Sequence, residues 1–188
     1  MLFVRRTAVR NLIIFATLLL AAASVIWAGG AQEVTPQQSD DGYKFITTDE
    51  LEFKWMLEDE SLKVEVTAPT TGWVAVGFDP SRAMKDADFI FGFVKDGELN
   101  ISDHFGSGAF SHEADTELGG TDDIISASGK EADGSTTLEF TIPLNSGDEY
   151  DVDLNPEQEH IVLFAYGPDG ADDFSTKHSF RTKVNLQF

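Results

Sequence analysis

Gly72-Trp73-Val74-Ala75-Val76-Gly77-Phe78 and, beyond a polar loop, Phe89-Ile90-Phe91-Gly92-Phe93-Val94 are the two runs whose reading decides the fold. Each is apolar at nearly every position, short, bounded by Gly, Pro or Asp, and rich in aromatic and β-branched residues. That pattern predicts central strands covered on both faces, because a half-exposed strand would alternate. The loop between them is Pro80-Ser81-Arg82-Ala83-Met84-Lys85-Asp86-Ala87-Asp88. Lys95-Asp96-Gly97-Glu98 follows the second run as a hairpin turn, since Asp-Gly readily takes positive φ. Leu99 to Phe105 is expected to return as its partner.

Outward from this centre, strand signals continue in both directions. Leu51, Phe53, Trp55 and Leu57 alternate with Glu52, Lys54 and Met56; Asp59-Glu60 reads as a turn; Leu62, Val64 and Val66 alternate with Lys63 and Glu65 up to Pro69. On the other side, Ile124 to Ala127, Leu138-Phe140-Ile142 and Ile161 to Tyr166 supply strands separated by Gly129 to Ser135 and by Pro143 to Pro156. A last strand opens at His178, in phase with Phe180, Thr182, Val184, Leu186 and Phe188. Gly106 to Thr121 has no apolar period and reads as a long loop. No long 3.6-residue apolar period occurs after residue 31. The expectation is an all-β, antiparallel, immunoglobulin-like sandwich forming one domain over residues 43–188.

The chain begins with Arg5, Arg6 and Arg10 ahead of an uncharged run from Asn11 to Ala31 that ends in Gly29-Gly30-Ala31. This is the layout of an export signal, expected over residues 1–31, with an uncleaved membrane anchor as the competing reading. Residues 32–42 are polar and read as a disordered spacer. The localisation expected is periplasmic or extracellular, with membrane attachment only through the anchor reading.

Without the three arginines of that signal, 10 basic residues face 33 acidic ones, a formal charge of −23 against −20 for the whole chain. Such a surface repels nucleic acid and anionic membranes and steers basic partners toward it. The chain has no cysteine. That excludes disulfides, thioether-linked haem, thiolate iron–sulfur clusters and a cysteine nucleophile. No nucleophile elbow, phosphate loop or zinc-protease motif occurs, so no enzyme activity is expected.

Met84 is the one methionine after residue 31 outside an expected strand, and His178 follows the strand period onto the apolar side. A thioether and an imidazole converging on one apolar cavity suit an iron porphyrin. The 15 phenylalanines supply aromatic lining, although most are expected to be ordinary core. Arg82 and Lys85 bracket Met84 and are candidates for pairing with carboxylates of a ligand.

The segment Gly72 to Val94, together with His112-Glu113-Ala114-Asp115, Thr137 to Leu144 and the closing His178, resembles the DOMON family. The similarity runs over Leu51 to Phe188. It implies a β-sandwich that binds haem b or a sugar in a pocket at one side. In the haem-binding branch, a methionine soon after the Gly-Phe segment and a histidine near the last strand ligate the iron; Met84 and His178 match those positions. The resemblance therefore implies one noncovalent haem b with axial ligands Met84 and His178, and electron transfer or redox sensing with a partner protein; from their places in the sequence, Arg82, Lys85, Trp73, Phe91 and Phe180 are expected to contact it.

The alternative in the same fold is a carbohydrate-binding module in which Trp73 or Trp55 stacks on a sugar. A third is an interaction domain without a ligand. Lys177 is a weaker substitute ligand because some relatives use lysine, and Lys183 is out of phase with His178. His104, His112, Glu113 and Asp115 offer metal-binding chemistry without a defining spacing. Asp169, Asp172 and Asp173 offer oxygen ligands for calcium without a full loop pattern.

Overall fold

The computed structural model describes residues 32–48 and 50–188; the expected export signal lies outside the described residues. In chain order the elements are β1 (Gln32–Glu33), β2 (Gln37–Gln38), β3 (Lys44–Thr47), β4 (Glu52–Glu58), β5 (Ser61–Ala68), β6 (Val74–Phe78), β7 (Asp88–Lys95), β8 (Glu98–Gly108), β9 (Ser111–Ala114), α1 (Asp115–Leu118), β10 (Ser126–Ala132), β11 (Ser135–Pro143), β12 (His160–Tyr166) and β13 (Phe180–Leu186). They form a seven-stranded sheet, β1-β13-β12-β6-β7-β8-β9, facing a six-stranded one, β10-β11-β5-β4-β3-β2. Neighbours are antiparallel except β1 with β13. This is the antiparallel sandwich that the strand patterning implies.

Between the sheets, Val74, Val76 and Phe78 of β6, Ile90 of β7, and Val162 and Phe164 of β12 meet Phe53, Trp55, Val64, Val66, Leu138 and Phe140. Each such large side chain contributes roughly 1.5–3 kcal/mol by leaving water. On the outer side of the seven-stranded sheet, Trp73, Ala75, Phe89, Phe91 and Phe93 form a second apolar layer with Ala87 and Ala171. The two runs lack polar alternation because both of their faces are buried.

Turns fall where expected at Asp59 (φ 52°) and at Asp96-Gly97 (φ 52° and 82°). Four expectations need correction. Residues 32–42 are not a free spacer: β1 pairs with Val184 and Asn185, β2 pairs with β3, and Val34 packs on the core. A strand edge accepts backbone partners whatever their side chains, so composition did not reveal this. Gly106 to Thr121 is the end of β8, a short return strand β9 and the helical turn α1. Gly129 to Ser135 is no separator: β10 and β11 form a hairpin that turns at Asp133-Gly134 (φ 53° and 77°). β10 is exposed along most of its length, so it carries no apolar alternation to read. The last strand begins at Phe180, beyond His178.

Candidate functional site

The outer aromatic layer is the chemically distinctive surface of the sandwich. Ala75 lies opposite Phe91 and Gly77 opposite Phe89 across β6 and β7, and directly opposed residues share a face. Gly77 is small because the Phe89 ring lies on it: a Cβ there would come within 2.2 Å of that ring. Phe91 is the hub, with ring centroids 5.6 Å from Trp73, 5.5 Å from Phe89 and 6.1 Å from Phe174.

Two histidines complete the layer. His104 lies opposite Phe89 on β8, and His112, on β9, stacks on Phe91 at 4.3 Å with a 17° interplanar angle. Their Nδ1 atoms are 3.1 Å apart, so one ring donates and the other accepts. Burial, then the neighbouring His112, pushes His104 down to about 4, and burial likewise lowers His112. Both rings are therefore neutral at pH 7. The Nε2 of His104 is buried without a hydrogen-bond partner.

Met84 reaches this layer from a tightly wound loop. Lys85 N–H donates to the Arg82 carbonyl at 2.9 Å and Ala87 N–H to the Met84 carbonyl at 3.2 Å, with Ala83 and Asp86 at positive φ. The loop is bolted to β8: Asp86 N–H donates to the Gly106 carbonyl and Gly106 N–H to the Ala87 carbonyl, each at 2.8 Å. Gly106 has to be glycine, because a Cβ there would lie 1.8 Å from the Met84 carbonyl oxygen. Met84 is half-buried against the aromatic layer, while Arg82 and Lys85 are exposed on the same loop and Lys85 pairs with Asp86 at 3.3 Å.

His178 sits just after a segment that crosses the layer's edge. Trp73 N–H donates to the Ala171 carbonyl at 3.1 Å, and its indole Nε1–H donates to the Thr176 carbonyl at 3.0 Å. Phe174 packs onto Phe93 at 5.0 Å. Burial, then Arg181 and Lys177, holds the His178 ring below the usual histidine range, leaving it in the neutral, ligand-competent form. A bend at Ser179 breaks the strand phase that was expected to run from Phe180 back to His178.

Of the residues singled out from sequence, Met84, Trp73 and Phe91 are brought together, and Arg82 and Lys85 share the Met84 loop. Phe180 is not with them: it stacks on Tyr166 at 5.2 Å and packs on the inter-sheet core, the opposite side of the sheet. Arg181 and Lys183, opposite Ala165 and Leu163, project on the aromatic side instead. Of the histidines in direct contact with the layer, His104 falls in the strand expected over Leu99 to Phe105, whereas His112 was legible only as a loop residue, since the β8–β9 return was not foreseen. Asp115 is not in the hydrogen-bonded His104–His112 pair; it is buried near the carboxylates of Asp88 and Asp103, behind the layer. Asp169, Asp172 and Asp173 do not converge: Asp169 accepts from Thr71, Asp172 lies 4.0 Å from Lys95, and Asp173 caps Ser175 and Thr176.

Trp55 is fully buried between the sheets and Trp73 is 4% exposed with its indole N–H already committed. Neither offers a free face for stacking on a sugar.

Residues 47–167 match the family model for the DOMON domain. The chain belongs to the DOMON family. It is 30% identical over 130 residues to DBH-like monooxygenase protein 2 of Mus musculus, an alignment that takes in 69% of this chain and 20% of that protein. The chain thus spans about a fifth of that relative's length. Its fold is similar to the cytochrome b domain of pyranose dehydrogenase from Coprinopsis cinerea (TM-score 0.57, 9% identity, covering 77% of this chain and 80% of that one). It is also similar to the cytochrome domain of Myriococcum thermophilum cellobiose dehydrogenase (TM-score 0.54, 10% identity, 81% and 88%).

Proposed function

We propose that this is an exported electron-transfer module that binds one haem b noncovalently on the outer aromatic layer and exchanges electrons with a basic redox partner. The observation that carries this reading is the packing of the Met84 thioether, on a braced loop, against the layer formed by Trp73, Phe89, Phe91 and Phe93. A planar apolar group fits that donor set. Met84 and His178 are the proposed axial ligands, with His104 and His112 as the competing imidazoles. Arg82, Lys85, Arg181 and Lys183 are the cations available to the propionates. Held by Met84 and His178, a bound haem would supply a one-electron iron couple suited to electron transfer.

The rest follows from this chain's own groups. The ring of His112 stacks on Phe91 and Phe174 meets it edge-on, so these two side chains would have to move aside for a flat ligand to reach that face. The Gly106 brace keeps Met84 in position without the ligand, which lowers the ordering cost of binding. With no cysteine, the group is held only by ligation and packing.

The test is an absorption spectrum of protein produced with ample haem. A sharp Soret band, low-spin visible bands and complete removal of the pigment by acidified organic solvent are expected. Protein that stays colourless and takes up no added haemin would overturn the proposal, and affinity for sugars in its place would favour the carbohydrate-binding alternative.

A further inference from the structure

Behind the aromatic layer, the same two strands carry a second polar centre. Asp88 opens β7 opposite Phe105, and Asp103 of β8 lies opposite Ile90, so both side chains point between the sheets. They are 5% and 3% exposed. Asp151, from the connection between β11 and β12, brings a third carboxylate, and one oxygen of each lies within 4.8 Å of the other two. Asp115, 1% exposed at the start of α1, flanks them closely enough to repel Asp88 and Asp103.

These carboxylates lack the partners that burial demands. Oδ1 of Asp88, of Asp103 and of Asp151 and both oxygens of Asp115 are sealed from solvent and accept no hydrogen bond. Among the described residues none of the four takes part in an ion pair. A buried ionised carboxylate without a partner costs several kcal/mol, and mutual repulsion adds to that. Yet the surrounding backbone presses them together. Asp123 N–H donates to Asp103 at 3.2 Å, Thr121 N–H to Asp148 at 2.7 Å, and the Tyr150 hydroxyl to the Leu118 carbonyl at 3.0 Å, tying the loops after α1 and before β12 to each other and to β8.

We propose that Asp88, Asp103 and Asp151, with Asp115 beside them, bind a hard divalent cation of calcium's size. All the donors are oxygens, which suit calcium and not a soft or imidazole-seeking metal. Calcium–oxygen bonds of about 2.3–2.6 Å put oxygens on opposite sides of the ion roughly 4.6–5.2 Å apart, and the observed spread fits within that. Without a cation the cluster resolves its charge by holding protons: burial, then Asp151, raises Asp103 to about 8, and burial, then Asp151, raises Asp115 to about 7. Cation binding would displace those protons. The site is separate from the aromatic layer and does not depend on haem. Asp88 follows Ala87 directly, however, so a bound cation would also brace the Met84 loop from behind.

The experiment is calorimetric titration of the full-length protein, stripped with a chelator, with calcium chloride at pH 7.5, alongside thermal unfolding. Saturable heat with proton release and a rise of several degrees in Tm are expected, with magnesium binding at least tenfold more weakly. Asp103→Asn and Asp151→Asn should each lose tenfold or more in calcium affinity. Both should also unfold at the same or a higher temperature than the chelator-treated parent, because each removes a repelled charge. No calcium heat and no Tm shift in the parent, an unchanged calcium response in Asp103→Asn and Asp151→Asn, or a magnesium response equal to that for calcium would each overturn the proposal.

Discussion

Met84 is positioned by backbone contacts on both sides of it, so its side chain can change without collapse of the loop. Met84→Ala is therefore expected to fold normally and still take up haem. It should lose the low-spin six-coordinate spectrum and shift the potential downward, because the thioether favours reduced iron. His178→Ala should lose the same spectral signature. A Met84→Ala protein with an unchanged reduced spectrum and potential would hand the axial position to His104, His112 or Lys85.

The acidic centre sets a pH dependence whose sign is fixed. Asp103 titrates near 8 when folded, against an ordinary carboxylate value of 3.8, so across that interval the folded chain holds a proton that the unfolded chain has lost. Stability then falls as pH rises from about 4 to about 8. His104 acts oppositely but only below 6.5, since its folded value is about 4. His160, raised chiefly by its 2.6 Å bond to Asp79, acts with the same sign as Asp103 above 6.5. Urea unfolding of chelator-treated protein should show a loss on the order of 1–2 kcal/mol between pH 6.5 and 8. The part of that loss that vanishes in Asp103→Asn belongs to the cluster. Met84 was legible in the sequence because methionine is rare after residue 31, whereas the cluster was hidden among 33 acidic residues and drawn from three separate elements and a connection.

At the level of elements, the β8–β9 return does the work that a loop was expected to do. It places His104 and His112 on the aromatic layer and supplies Gly106 as the seat of the Met84 loop. Gly106→Ala should destabilise the fold by about 1–3 kcal/mol, because the intruding methyl meets backbone that can move only by displacing the loop. The visible spectrum of the haem-loaded variant should be altered as well. Gly108→Ala is the control: its Cβ would meet the Ser111 hydroxyl at 2.6 Å, a side chain that can rotate away. Equal unfolding midpoints for the two variants would show that Gly106 braces nothing. The apolar strands were readable because two-residue alternation or full burial marks them. β9 and β10 were not, since each lies at a sheet edge: β9 is only four residues of mostly polar sequence, and β10 is exposed along most of its length with Gly129 in the middle.

For the whole molecule, the −23 formal charge after residue 31 acts at long range. Reduction of a basic cytochrome by the haem-loaded protein should be fast at low salt and slow steeply as the Debye length shrinks from about 30 Å at 0.01 M to about 8 Å at 0.15 M. An acidic cytochrome should show the reverse trend. Stopped-flow rates across a salt series check this, and equal, salt-independent rates for both would assign the charge to solubility alone.

The strand orders leave four lateral margins, and none of them invites another chain. β1 and β2 each span two residues, and β9 has four with a register shift against β8. The longest, β10, carries Lys130 and Glu131 around Gly129. Unpaired backbone on a long flat margin is what recruits a second copy into runaway sheet growth, and short, charged or irregular margins block it. The domain can therefore stay concentrated without polymerising, and its encounters with other proteins are left to the broad faces, one of which bears Met84.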